Sequence, residues 1–284
     1  MHDTEGTLAS IKRRIATATA SWARAASLAE IRASFDALFA DDEPGDFETF
    51  AIGTMRAAWI EPPVDAKGRT ILFCHGGGFQ VGSIRSHLGL IRRLADAAEA
   101  RVLAFEYRLA PEHKYPTAIE DAFAAYRWLL DQGLPASHIA IAGDSAGAAL
   151  AIQVALRARD QRVAVPACAA LISPWLDLTM RGASYASRAA ADIFSKPEQL
   201  AAMTRAYLGR NQIAGASIAS PWMRTCRDCH PSWFTQEATT LRSTIHSFSQ
   251  TARGDMASMC GFTSGKACST ISRCSAIFRR AGNQ

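Results

Sequence analysis

A serine between two glycines is the feature of this sequence best suited to nucleophilic chemistry. The pattern is Gly143-x-Ser145-x-Gly147, and it separates an apolar run typical of a strand from a stretch with helical spacing. Glycines are needed beside the serine because the turn is so tight that side chains there would collide. Such a turn would hold the Ser145 hydroxyl over the edge of a sheet, at the N-terminus of a helix.

Consecutive glycines follow another short apolar run, in the segment His75-Gly76-Gly77-Gly78. Glycines let the backbone approach a ligand closely and direct several N–H groups at one point. A tight turn or a phosphate-binding loop would use the same residues. A phosphate loop would end in Lys-Ser or Lys-Thr, whereas Phe79-Gln80 follows here. We therefore predict donors for an oxyanion.

An ester carbonyl attacked by serine becomes an oxyanion, which needs hydrogen-bond donors fixed in place beforehand. We predict that the N–H groups of Gly76, Gly77 and Ala146 are those donors, with Ser145 as the nucleophile. The residues that complete the two motifs are expected to support the turn and the loop; they are His75, Gly78, Gly143, Asp144 and Gly147.

The elements that must position these residues follow from the apolar pattern of residues 46–221. Short apolar runs predict strands at residues 55–60, 70–74, 101–105, 139–142 and 168–172. Helical spacing predicts helices at residues 86–100 and 117–131, and from the serine turn to about Arg159. Strands that alternate with helices in this way predict an α/β domain, with a mostly parallel sheet and helices on both faces.

One or two amphipathic helices are predicted ahead of this domain, over residues 8–40, from apolar residues at helical spacing. Their apolar face either packs on the body of the protein or forms a lid over a pocket.

Composition excludes several classes of protein. The net charge of +5 lies entirely in residues 222–284, which hold eight Lys and Arg against three Asp and Glu. The rest of the chain is neutral, so the charge gives no support for nucleic-acid binding. No apolar run reaches the roughly 18 residues of a membrane span. The N-terminal residues lack the pattern of a secretory leader, so we expect a cytoplasmic protein.

Four motifs together resemble the hormone-sensitive-lipase family of α/β-hydrolases, particularly its bacterial esterases. They are residues 75–79, 107–113, 143–147 and 173–175, which read HGGGF, YRLAPEH, GDSAG and SPW. The resemblance covers roughly residues 5–221. It implies an α/β-hydrolase fold, hydrolysis of short- to medium-chain carboxylic esters and no cofactor. It also implies a helical cap, built from residues 1–45 and from an insertion at about residues 180–212.

The acid and the base that this family places near its C-terminus are missing from their expected motifs. The tail offers Asp228, Glu237, Asp255, His230 and His246, but none follows a plausible buried strand. We read each of them as a surface residue first, so the catalytic Asp and His are unknown.

A shift of reading frame explains the unusual composition of residues 222–284 and the absence of the family's motifs there. This tail has one Leu, no Val and five of the seven cysteines, too few branched aliphatic residues for a packed α/β domain. New codons, each built from the third base of one codon and the first two of the next, permit three family motifs in order. The candidate Asp codon then straddles Ala238 and Thr239, and the candidate His codon straddles Ser269 and Thr270. We predict that the tail as printed is aberrant and does not complete the fold.

The tail also contains Cys226-Arg-Asp-Cys229-His230, the pattern of covalent haem attachment. Haem attachment normally needs export. A zinc site from Cys226, Cys229 and His230 with Cys260 or Cys268 is a second alternative. Neither is favoured, so we expect no metal and no cofactor.

The sequence thus predicts a serine carboxylic ester hydrolase, impaired as printed by loss of its Asp and His. A small-molecule-binding protein on the same scaffold is the alternative. The expected partner is a small ester, and a homodimer is compatible with the sequence.

Overall fold

A sheet of six strands forms the centre of the described structure. The structure is a computed structural model and describes residues 4–22, 24–25, 27–40, 47–66 and 68–209. The strands are β1 (Thr49–Ile52), β2 (Met55–Ile60), β3 (Thr70–Cys74), β4 (Arg101–Phe105), β5 (Ile139–Asp144) and β6 (Cys168–Ile172). Their order across the sheet is β1-β2-β4-β3-β5-β6. Strands β3 to β6 pair in parallel, whereas β1 with β2 and β2 with β4 are antiparallel.

Seven α-helices and one short 3₁₀ helix accompany this sheet in the described residues. The α-helices are α1 (Thr4–Trp22), α2 (Leu28–Phe39), α3 (Ile84–Ala98), α4 (Thr117–Asp131), α5 (Ala146–Asp160), α6 (Ala183–Ser187) and α7 (Pro197–Leu208). The 3₁₀ helix covers Ala136–His138, directly before β5.

The core lies on both faces of the sheet because successive side chains of a strand point to opposite faces. In β3, Leu72 belongs to the apolar cluster shared with α4 and α5, while Phe73 belongs to the cluster shared with α3. All five residues of β3 are buried, as expected for a parallel strand covered on both faces. The predicted α/β architecture, with a mostly parallel sheet and helices on both faces, is therefore confirmed.

The structure departs from the sequence predictions in several places. The sequence reading missed β1, a four-residue strand that forms a hairpin with β2. Helix α3 begins before residue 86 because the side chain of Ser83 accepts the N–H of Ser86 while Ser86 caps Ser83 in return. Strand β5 continues two residues beyond residue 142, to Asp144, because Gly143 and Asp144 pair with β6.

The predicted N-terminal helical segment consists of two helices, α1 and α2. They are tied together by a hydrogen bond from Trp22 Nε1 to Ser34 Oγ (3.0 Å). The ring of Trp22 also lies edge-on against Phe194 (6.0 Å between centroids), which precedes α7. The segments predicted to form the cap therefore touch each other. The exact boundaries at residues 45, 180 and 212 stay predictions.

Candidate active site

Ser145 occupies the junction between β5 and α5. Its backbone has φ 51° and ψ −116°, a strained conformation for a residue with a side chain. The turn is held from the end of β6: Ser145 N–H donates to the Ile172 carbonyl (2.9 Å), and Trp175 N–H donates to the Ser145 carbonyl (3.0 Å). The predicted context of strand, tight turn and helix is present.

The two glycines of the serine motif are required by close backbone contacts with the end of β3 and, for Gly143, also with Gly147. A Cβ atom on Gly147 would overlap the carbonyl oxygen of Cys74, and one on Gly143 would lie 2.6 Å from the same oxygen. Non-bonded atoms do not approach each other this closely, so a side chain at either position would force the backbone apart. The motif therefore reflects backbone packed against backbone beside Ser145.

The glycine loop after β3 makes a tight turn with two successive left-handed glycines. Gly77 has φ 109° and Gly78 has φ 61°, values that favour glycine. The turn closes through hydrogen bonds from the N–H groups of Gln80 (3.1 Å) and Val81 (3.0 Å) to the Gly77 carbonyl. A Cβ atom on Gly77 would overlap the carbonyl oxygen of Val81. Gly77 is thus needed both for its φ and for the space.

The structure does not support the prediction that Gly76 is an oxyanion donor. Its N–H donates instead to Asp144 Oδ1 at 2.8 Å, and a backbone amide has one hydrogen to give. A Cβ atom on Gly76 would overlap the other carboxylate oxygen of Asp144. Gly76 therefore anchors the loop to the residue before the nucleophile.

The amides of Gly77, Gly78 and Ala146, which flank the serine turn, have no hydrogen-bond acceptor within the described part of the chain. Ala146 opens α5, so its N–H is one of the groups that a helix leaves unpaired at its N-terminus. The predicted donors Gly77 and Ala146 remain candidates. Gly78, predicted only as a supporting residue, becomes a candidate because Gly76 is occupied.

His75 is a buried structural residue. Its side chain bonds through Nδ1 to the Gly76 carbonyl (2.7 Å), and its own carbonyl accepts the Tyr107 hydroxyl (2.9 Å). The rings of His75 and Tyr107 stack at 4.2 Å. Burial and the neighbouring His87 lower the pKa of His75 to about 3. His75 is therefore neutral and poorly suited to accept a proton from Ser145.

Helices from the predicted cap segments cover the glycine loop. Tyr207 of α7 stacks on Phe79, with centroids 3.9 Å apart and ring planes 8° apart. From α2, Arg32 donates to the Gln80 carbonyl (2.8 Å) and pairs with Glu112 (2.7 Å). The residues that follow the glycines therefore contact both predicted cap segments.

Comparison with known proteins identifies the architecture. Residues 71–253 match a family described as alpha/beta hydrolase fold. The chain belongs to this family.

Relatives of this α/β-hydrolase are named as hydrolases and esterases. An acetyl-hydrolase of Streptomyces hygroscopicus is 46% identical over 165 residues, which are 58% of this chain and 54% of the relative. An ethyl acetate hydrolase of Pseudomonas putida is 40% identical over 45% of this chain and 43% of its own. The α/β-hydrolase thus spans about half the length of these curated relatives.

A solved structure confirms the resemblance to the hormone-sensitive-lipase family. An esterase of the bacterial branch of that family is 32% identical, with a TM-score of 0.70 over 78% of this chain and 74% of the other.

The tail residues singled out in the sequence lie outside the described residues of this α/β-hydrolase. They are Asp228, Glu237, Asp255, His230, His246, Cys226, Cys229, Cys260 and Cys268. Residues 4–209, where described, contain no cluster of His, Cys, Asp and Glu suited to a metal. In the same part of the chain, no helix has the length and apolar character to cross a bilayer.

Proposed function

We propose that the protein is a serine carboxylic ester hydrolase that uses Ser145 to cleave short- to medium-chain esters without a cofactor. The observation that carries this proposal is the pairing of two loops. The strained Ser145 turn and the glycine loop meet through the hydrogen bond between Asp144 and Gly76. The names of the relatives, an acetyl-hydrolase and an ethyl acetate hydrolase, support a small acyl group.

The chemistry begins with attack of Ser145 Oγ on the ester carbonyl carbon, while a histidine base takes the hydroxyl proton. The oxyanion that forms accepts hydrogen bonds from the amides of Gly77 and Ala146, and Gly78 is a third candidate donor. When the carbonyl re-forms, the alcohol leaves with the proton from the histidine. Water then attacks the acyl-enzyme in the same way and releases the acid.

The base of this reaction is proposed to come from beyond residue 221. His75 is neutral with its pKa near 3, too low for a base at neutral pH. We infer that residues 222–284 as printed are read out of frame, and that the restored frame supplies an Asp at the codon straddling Ala238 and Thr239. The same frame supplies a His at the codon straddling Ser269 and Thr270.

The test compares the chain as printed with a restored chain, which carries the shifted frame after residue 221. We expect the restored chain to hydrolyse p-nitrophenyl acetate and butyrate, and the printed chain to show little or no turnover, because an activated serine needs a base within hydrogen-bond reach. Each chain is measured beside its own Ser145→Ala variant, which gives the background rate.

Two results would contradict this proposal. A restored chain that binds esters without turning them over would favour a small-molecule-binding protein. A printed chain that is soluble, unfolds cooperatively and matches the restored chain's turnover would show that the acid and the base are in the printed tail.

The glycine loop gives a second prediction. Gly77→Ala should raise the barrier of the restored chain by about 3 kcal/mol, on the order of a hundredfold in kcat, by displacing an amide donor. The physical cause is the overlap of the new Cβ with the Val81 carbonyl, at a φ of 109°. Gly182→Ala is the matched control, since its Cβ would meet nothing nearer than 3.5 Å. Unchanged kcat for Gly77→Ala would show that the loop is only a turn.

A cytoplasmic location and a homodimer stay predictions from the sequence.

A further inference from the structure

Both ring nitrogens of His87 face hydrogen-bond acceptors. Nδ1 lies 3.0 Å from Ser86 Oγ, a hydroxyl that can donate or accept and that also lies 3.1 Å from the Ser83 carbonyl. The same carbonyl lies 3.2 Å from Nδ1. On the other side of the ring, Nε2 lies 3.4 Å from Asp144 Oδ1. The Ser83 carbonyl and the Asp144 carboxylate can only accept, so a neutral imidazole, which has one N–H, would set a lone pair against one of them. The geometry therefore fits a doubly protonated ring.

The charges around His87 agree with this protonation state. Burial alone would lower the pKa of His87, but Asp144 at the end of β5 and Asp36 on α2 together raise it. His75, whose ring centroid lies 5.5 Å away, is neutral and brings no competing positive charge. Burial also disfavours the charge of Asp144, yet His87 holds its pKa below the ordinary value.

Asp144 connects this ion pair to the glycine loop. The same oxygen, Oδ1, that faces His87 accepts the N–H of Gly76 at 2.8 Å. Asp144 is also the residue directly before Ser145. A chain of contacts thus runs from α3, through the end of β5, to the loop that carries the candidate oxyanion donors.

We propose that His87 is a positioning residue, whose imidazolium neutralises Asp144 and thereby fixes the glycine loop against Ser145. The proposal rests on the proposed function for its effect on catalysis, but the ion pair and the loop can be observed without turnover. Removing one partner of a buried pair leaves an uncompensated charge. Asp144 would then turn towards water, and the Gly76 amide would lose its acceptor.

Nuclear magnetic resonance of the nitrogen-labelled full chain tests the pair directly. His87 is recognised by the signal lost in His87→Phe, which keeps an aromatic ring among Phe35 and Phe73. We expect both ring nitrogens of His87 to be protonated at about pH 7, with a pKa above the ordinary 6.5. Stability from the pair is present below that pKa and is lost as the pH rises through it, so the Gly76 amide signal should move along the same titration curve.

Two variants separate positioning from packing. His87→Gln keeps a neutral donor, and should shift the amide signals of Gly76 and Gly77 less than His87→Phe does. Adding Asp144→Asn to His87→Phe removes the unpaired charge but keeps an oxygen for Gly76, so it should restore part of the shift. His138→Phe, at the opposite end of β5 from Ser145, is the control and should leave both signals in place.

Turnover of the restored chain provides the second measurement. His87→Phe should lower kcat about tenfold to a hundredfold with KM nearly unchanged, since small misplacement of a catalytic group has effects of that size. Asp144→Asn in the same background should recover part of the loss. If the restored parent shows no turnover, the proposed function fails, while the resonance data still decide the inference.

A neutral His87 at about pH 7 would overturn the inference. So would a charged His87 whose loss leaves the Gly76 and Gly77 signals unmoved, or a kcat that does not change in His87→Phe.

Discussion

Ser145→Ala in the restored chain should reduce ester turnover by several orders of magnitude, about 10⁴-fold or more, and leave the stability of the fold unchanged. No other atom can replace the attacking oxygen at this turn. The backbone strain is the same for serine and alanine, since both have a Cβ at φ 51°. In the described structure the Ser145 side chain does not cap helix α5, so alanine loses no capping bond.

The measurement is kcat for p-nitrophenyl acetate, beside urea unfolding of both proteins. Ser137→Ala is the matched control, because Ser137 lies in the 3₁₀ helix that precedes β5, at the other end of the strand. Turnover within tenfold of the parent would remove Ser145 from the mechanism.

Gly147→Ala should destabilise the protein strongly, by about 3 kcal/mol or more, because overpacking against backbone cannot be relieved by a change of rotamer. The new Cβ would overlap the Cys74 carbonyl oxygen and lie 2.5 Å from the His75 carbonyl oxygen. Helix α5 would have to move away from the end of β3, and this is where the two loops of the site meet.

Urea unfolding of the restored chain measures this loss. Gly182→Ala is the control, with φ −61° and ordinary contacts for its Cβ. An unfolding midpoint of Gly147→Ala equal to the parent's would mean that the close passage of β3 is not the reason for glycine at this position.

The sequence by itself determined the bounds of those strands and helices whose apolar pattern matches their burial in the fold. Strands β3 and β4 have the predicted bounds, since buried parallel strands read as continuous apolar runs. Helix α4 also has its predicted bounds, because its apolar residues follow one face at helical spacing. Strand β1 was missed because only one of its four residues is buried. Its pairing comes from the neighbouring strand rather than from its own pattern.

The types of residue at the site were likewise readable from the sequence. Gly143, Ser145 and Gly147 stand close together along the chain, so their spacing alone describes the turn. The glycine loop was also recognisable, because glycine is the residue that tolerates the φ values of Gly77 and Gly78.

Only the tertiary structure decided which amides are free. Gly76 and Gly77 are equivalent in sequence, yet the amide of Gly76 is bonded to Asp144, 68 positions away. The contact of His87 with Asp144 was equally hidden, since the two residues lie on different elements, α3 and β5. A local pattern records the conformation that a residue can adopt. Which donor meets which acceptor depends on segments that the fold alone brings together.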